Sequence, residues 1–109
     1  MKKGFEQPQG LSPEGQTAYK VVYAFLAEHD LLESGGGTVF WHPKAWSERG
    51  ERYGASSVLV ITHDGGDHAD AFDWDRENFN LLDALNQTLA AQGLFVEQCT
   101  SWYSAIYKL

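Results

Sequence analysis

Cysteine is nearly absent: Cys99 stands alone among 109 residues, which excludes an internal disulfide and any zinc module built on several thiolates. Basic residues are scarce as well, with eight lysines and arginines against fifteen aspartates and glutamates, for a net charge of -7. Nucleic-acid binding begins with a basic face that releases counterions from phosphate, and Lys2, Lys3, Lys44, Arg49 and Arg52 form only loose groups. No apolar run approaches the roughly 18 residues of a membrane span, and the N-terminus does not read as a charged-then-apolar leader. The expectation is a soluble cytoplasmic protein that contacts neither nucleic acid nor membrane.

What is present in quantity is aromatic. Four tryptophans, five tyrosines and six phenylalanines make up 14% of the chain, and 43% of it is hydrophobic. That supply argues against disorder, and a chain of this length buries enough surface to hold a core without cross-links. Residues 1–10 are polar and mixed and read as a flexible N-terminal tail; residues 11–109 read as a single compact domain.

Ser12-Pro13 is a helix-start signal, since serine caps free amides and proline suits the first turn. Ala18, Val21, Val22, Phe25, Leu26 and His29 then recur at the spacing of one helical face. Thr38 to Trp41 reads as a short strand, Pro43 to Arg52 as a short helix or helical turn, and Ser57 to Thr62 as a central strand. A second long helix is expected to begin after Asp75, its cap, and to run to Gln92, with Phe79, Leu82, Leu85 and Leu89 inward and Gly93 as its stop. Leu94–Cys99 and Trp102–Lys108 complete the order as two strands joined in a hairpin. The strand–helix–strand run from Ser57 to Cys99 favours parallel pairing across a right-handed crossover. The resulting expectation is an α+β fold: a four-stranded mixed or mainly antiparallel sheet with two main helices packed on one face. One helical layer leaves the other face bare, and an aromatic bare face favours a homodimer.

The most suggestive stretch is His63-Asp64-Gly65-Gly66-Asp67-His68-Ala69-Asp70, just after the central strand. Imidazoles and carboxylates are common metal ligands, and His63, His68 and Asp70 are weak candidates for that role. Against this, Asp-Gly-Gly is a turn sequence whose aspartates bond their own backbone, and the spacing matches no specific metal motif. His68-x-Asp70 lacks the distal histidine of an iron triad, since no histidine follows. The run from Asp73 lacks the glycine and glutamate of a calcium loop, with Asn78 and Ala84 in their places. Ser34-Gly35-Gly36-Gly37 leads from helix to strand, the reverse of a phosphate-cradling loop. Cys99 has no nucleophile signature around it and reads as an inert, buried strand cysteine. No cofactor is expected.

The tryptophans and tyrosines fall mostly outside the helices. Indole covers a large apolar area yet wants a partner for its N–H, which suits pocket rims and interfaces. The candidate ligand-binding set is therefore Trp41, His42, Trp46, Trp74, Trp102 and Tyr103, with His63 and Asp64 or Asp67 at the mouth of the pocket.

Arg49-Gly50-Glu51-x-Tyr53-Gly54, His63-Asp64-Gly65-Gly66-Asp67, and Glu97-Gln98-Cys99-Thr100 running into Trp102-Tyr103 give the chain its resemblance to a known group. It resembles small uncharacterised bacterial proteins of the kind carried as single genes in mobile integron cassettes. The resemblance implies a compact α+β protein of bacterial origin with no established activity, and it transfers no functional residue.

Three functions stay open on these grounds. The first is a non-enzymatic module, a homodimer, binding a small molecule or a protein through aromatic and acidic loops. The second is a small divalent-metal-dependent enzyme using His63–Asp70, with water activated by the ion. The third is an acidic adaptor or inhibitor. Its stripe from Asp64 to Asp83, with six aspartates and Glu77 against Arg76 alone, would meet a basic partner.

Overall fold

The structure is a computed structural model that describes residues 4–32, 38–51, 53–63, 79–100 and 102–109, with backbone alone at 79 and 80. Helix α1 spans Pro13–Glu28 and begins as its sequence dictates: the Ser12 hydroxyl accepts from the Gly15 N–H at 3.1 Å, and Pro13 opens the first turn. It ends at Asp30, which takes the left-handed φ of 59°. There the Asp30 N–H donates to the Ala27 carbonyl and the Leu31 N–H to that of Leu26, satisfying carbonyls the helix leaves open. Gly15, Ala18, Tyr19, Val22, Phe25 and Leu26 form the buried face. His29, expected on that face, is the exposed C-cap residue, its ring 4.3 Å from that of Phe25.

Strand β1 is Phe40–Trp41, helix α2 Pro43–Glu48, strand β2 Leu59–Thr62, helix α3 Phe79–Ala90, strand β3 Leu94–Gln98 and strand β4 Tyr103–Lys108. The start expected for α3 near Asp75 lies outside the described residues. The four strands form one sheet in the order β1-β2-β4-β3, and every neighbouring pair is antiparallel. The fold is therefore α+β with two main helices, as the sequence pattern indicates. The parallel pairing expected of the two strands flanking α3 is not made: β2 and β3 run the same way, but β4 lies between them. A connection of a few residues forces β4 back antiparallel onto β3, and the Cys99 N–H donates to the Tyr103 carbonyl at 3.1 Å as the turn closes. β4 then offers its other edge to β2.

Alternation along the strands separates two layers. Phe40, Leu59, Ile61, Ile106, Leu94 and Val96 face the apolar sides of α1 and α3 and make the main core with Leu82, Leu85 and Leu89. On the reverse face Val60, Tyr103 and Ala105 pack against Trp46 of α2. The second face, expected to be bare, thus carries its own short helix over its centre, and a second copy is not required to bury it there. Phe95 and Tyr107, stacked with centroids 5.5 Å apart, remain half-buried beside it.

The N-terminal segment is tied down from Gly4 onward rather than hanging as a flexible tail. Phe5 is fully buried, edge-on to Phe40. The Tyr19 hydroxyl donates to the Phe5 carbonyl at 2.7 Å, and the Val39 N–H donates to that of Gly4 at 2.8 Å. Burial, with Tyr23 and Glu6 adding to it, holds the Tyr19 phenol above its ordinary pKa, so this donor keeps its proton. The sheet's longer edge is also managed. The Val96 N–H, directed away from β4, donates to the Asn86 side-chain carbonyl of α3 at 2.9 Å. Among the described residues no helix is long and apolar enough to cross a membrane.

One glycine sets how closely α1 meets the sheet. A Cβ at Gly15 would lie 2.6 Å from the Val58 carbonyl oxygen, a rigid backbone atom. Alanine is the better helix former by about 1 kcal/mol. Forcing a methyl into that contact costs about 1–3 kcal/mol, which outweighs the gain. Gly15→Ala is expected to melt several degrees below the wild type in a thermal scan. A higher melting temperature would show that the helix has room to move.

Candidate functional site

Strand parity decides where His63 goes. Leu59 and Ile61 point at the helices, and His63, two residues on, does the same. Its Nε2 lies 3.0 Å from the Ser104 hydroxyl, hydrogen-bonded to it, while its backbone N–H donates to the Trp102 carbonyl at 2.9 Å. A serine–histidine contact has the form of a nucleophile and its base, but His63 is 1% exposed and Ser104 0%. The pair lies inside the core, and its hydrogen bond ties the residue after β2 to β4. The other loop candidates, Asp64, Asp67, His68, Asp70 and Trp74, lie outside the described residues. Among the described residues no group of three histidines, cysteines or carboxylates could hold a metal ion.

The aromatic candidates do converge, on the opposite face of the sheet. Trp46 is fully buried at the centre. Around it stand Trp41 from β1 at 5.2 Å between centroids, Trp102 at 5.5 Å and Tyr103 of β4 at 5.0 Å, all tilted or edge-on. The Tyr103 hydroxyl accepts from the Tyr53 N–H at 3.2 Å, which brings the segment after α2 back over the cluster. Gly54 follows at φ 94°, close enough that a Cβ there would lie 3.1 Å from Val60. His63 faces the other way, so among the described residues no imidazole stands at the mouth of this indole cluster.

One participant escaped the sequence reading. The Arg49 guanidinium lies over the Trp46 ring at 4.6 Å and over the Trp41 ring at 4.8 Å. Its signal was available: Trp46-x-x-Arg49 is the i, i+3 spacing that puts two side chains on one side of a helical turn. Cation–π contacts of this kind are worth about 0.5–2 kcal/mol, depending on how far the cation is desolvated. The cluster also carries an unspent donor. The Trp41 indole N–H donates to the Thr38 carbonyl at 3.3 Å, whereas the buried Trp46 indole N–H has no acceptor among the described residues.

His42 belongs to neither group. Its ring caps α2 by accepting from the Lys44 N–H at Nδ1, 3.0 Å away. It lines a separate cleft of about 300 Å³ with Ser12, Pro43, Lys44, Ser47, Ser57 and Val58 among its walls. Two of the hydroxyls there are spent locally, Ser47 donating to the Lys44 carbonyl and Ser57 to that of Gly54.

No family model matches the chain, and neither a curated protein nor a solved structure is significantly similar to it. The site is accordingly read from its own chemistry.

Cys99, expected to be buried, is half-buried just past β3. Burial first, then the Glu97 carboxylate, pushes its thiol up to about 11, with the Tyr107 hydroxyl acting weakly the other way. At neutral pH the thiol keeps its proton and is a poor nucleophile. Relative to a thiol of pKa 9.0, that shift lowers the thiolate population about a hundredfold at pH 8. The greater basicity returns nearly tenfold of this in nucleophilicity. Iodoacetamide is therefore expected to modify Cys99 about tenfold more slowly than a free thiol at pH 8, with a rate that climbs until about pH 11. A rate levelling off near pH 9 would contradict this.

Proposed function

We propose that the protein is a non-catalytic binding module that holds a cationic group, a guanidinium or a substituted ammonium, on the faces of Trp41 and Trp46. The observation that carries this reading is the seat of Arg49, whose guanidinium lies within 4.8 Å of both ring centroids. The pair of indoles accommodates a planar cation, and here the chain's own side chain fills the place. Arg49 is exposed and Trp41 half-buried at the rim, so the place opens outward. The net charge of -7 supports the same choice of ligand, because it draws cations toward the surface. Of the three weak metal candidates, His63 is buried and hydrogen-bonded to Ser104, while His68 and Asp70 lie outside the described residues.

Contacts of this strength hold a lone cation only weakly, with a Kd of about 1 mM or higher. Arg49, tethered beside the rings, competes at a high effective concentration. Titration with arginine amide, followed by the indole N–H signals in NMR, is expected to show tighter binding to Arg49→Ala than to the wild type, by about tenfold. Adding Trp41→Ala to that variant is expected to abolish saturation, and norleucine amide is expected not to bind. An Arg49→Ala protein that gives no saturable shift, or shifts equally with norleucine amide, would overturn the reading.

A further inference from the structure

Ser12-Pro13 and His42-Pro43 are one local device used twice, a capping side chain followed by a proline in the first turn. The fold brings both caps to one cleft of about 300 Å³, closed on its third side by the segment before β2. Hydrogens are unevenly committed around it. The hydroxyls of Ser47 and Ser57 donate to the carbonyls of Lys44 and Gly54, so each offers the cleft an acceptor only. His42 takes the Lys44 N–H on Nδ1, which puts the ring hydrogen on Nε2. The Ser12 oxygen accepts from the Gly15 N–H, and its own hydrogen has no acceptor among the described residues. The exposed Lys44 ammonium makes no ion pair among them either. No acidic side chain lines this cleft, and Glu14 of the first turn of α1 lines a different one. Six residues lend α2 little dipole, so these side chains carry whatever charge recognition the cleft has.

We infer that this cleft binds a small hydroxylated organic anion, its phosphate or carboxylate group held by Lys44, the His42 Nε2–H and the Ser12 hydroxyl. One ammonium and two neutral donors suit a single oxyanion group rather than a polyanion. Ser47 and Ser57, their hydrogens spent, accept from the hydroxyls of the guest. Pro43, Ala55 and Val58 give its carbon chain an apolar wall. The volume stands at the low end of ligand pockets, which run from about 300 to 1,000 Å³, so the guest has only a few carbons. The net charge of -7 opposes an approaching anion, but salt screens that field beyond about 10 Å, and the three donors act at contact. The cleft shares no side chain with the seat of Arg49 on Trp41 and Trp46, so neither reading rests on the other.

The test titrates the protein with glycerol 3-phosphate, glycerate, inorganic phosphate and glycerol at constant pH and ionic strength, followed by NMR. At least one of the two organic anions is expected to saturate the shifts of the Lys44 and Ser57 amides, with a Kd of about 1 mM. Whichever binds identifies the anionic group. Inorganic phosphate is expected to bind several-fold more weakly and glycerol not at all, since each offers half of the chemistry. Lys44→Gln is expected to weaken binding about tenfold, the loss that one hydrogen bond to a charged group implies. His42→Asp keeps a capping oxygen but turns a carboxylate toward the guest. It is expected to abolish saturation without lowering the melting temperature. Linear, unsaturated shifts with both organic anions would overturn the inference. So would equal affinity for inorganic phosphate, or an affinity unchanged in Lys44→Gln.

Discussion

Strand β4 has apolar side chains on both faces, and that constraint organises the molecule. Ile106 and the buried Ser104 point one way, Tyr103 and Ala105 the other, and all four are shielded from water. A strand of this kind cannot lie at an edge or carry helices on one side only. It takes an interior position between β2 and β3, which obliges the connection through α3 to pass from one flank of β4 to the other. It also obliges both faces to be covered. The two long helices cover one, and the six residues of α2 cover the other.

These two covers are unequal in kind. The main core is a continuous aliphatic and aromatic layer in which the buried polar pair, His63 and Ser104, is internally hydrogen-bonded. The second layer consists of one indole, three sheet residues and a ring of half-buried aromatics. Its helix depends on a capping imidazole, and its central indole leaves a donor unspent among the described residues. An unpaired buried donor costs about 1–3 kcal/mol, and this one falls on the smaller layer. Regions of low local stability are where recognition and switching surfaces are drawn from. The placement of the candidate site on the weaker face follows that rule.

How much of this was written in the chain differs by element. Ser12-Pro13 announced α1, the apolar run at Leu59–Ile61 announced β2, and Gly93, at φ 75°, closes the turn after α3. Each is a local signal, since the residues that carry it also make the contact. Strand order was not legible, because the choice between β3 and β4 as the neighbour of β2 depends on which strand must be covered on both faces. The tether of residues 4–11 was hidden for a similar reason: Phe5 meets Tyr19 and Phe40, partners 14 and 35 positions away that no window of periodicity joins. Of the site, the convergence of Trp41, Trp46, Trp102 and Tyr103 was legible from composition and strand ends. The facing of His63 was legible from parity with Leu59 and Ile61, although the polar loop behind it drew the eye the other way.

The chain's acidity and its aromatic cluster act on different length scales, and the proposed cation would draw on both. Net charge works through a field that salt screens within about 10 Å, so it governs approach and its rate. The indole faces act only at contact, where quadrupole and desolvation decide and salt has little reach. A neutral aromatic or aliphatic group would gain from the rings but nothing from the field. A hydrated metal ion would gain from the field but cannot shed its water onto a ring face. A guanidinium or substituted ammonium gains from both, since it is charged yet weakly hydrated. Arg49 satisfies the same pair of conditions from within the chain.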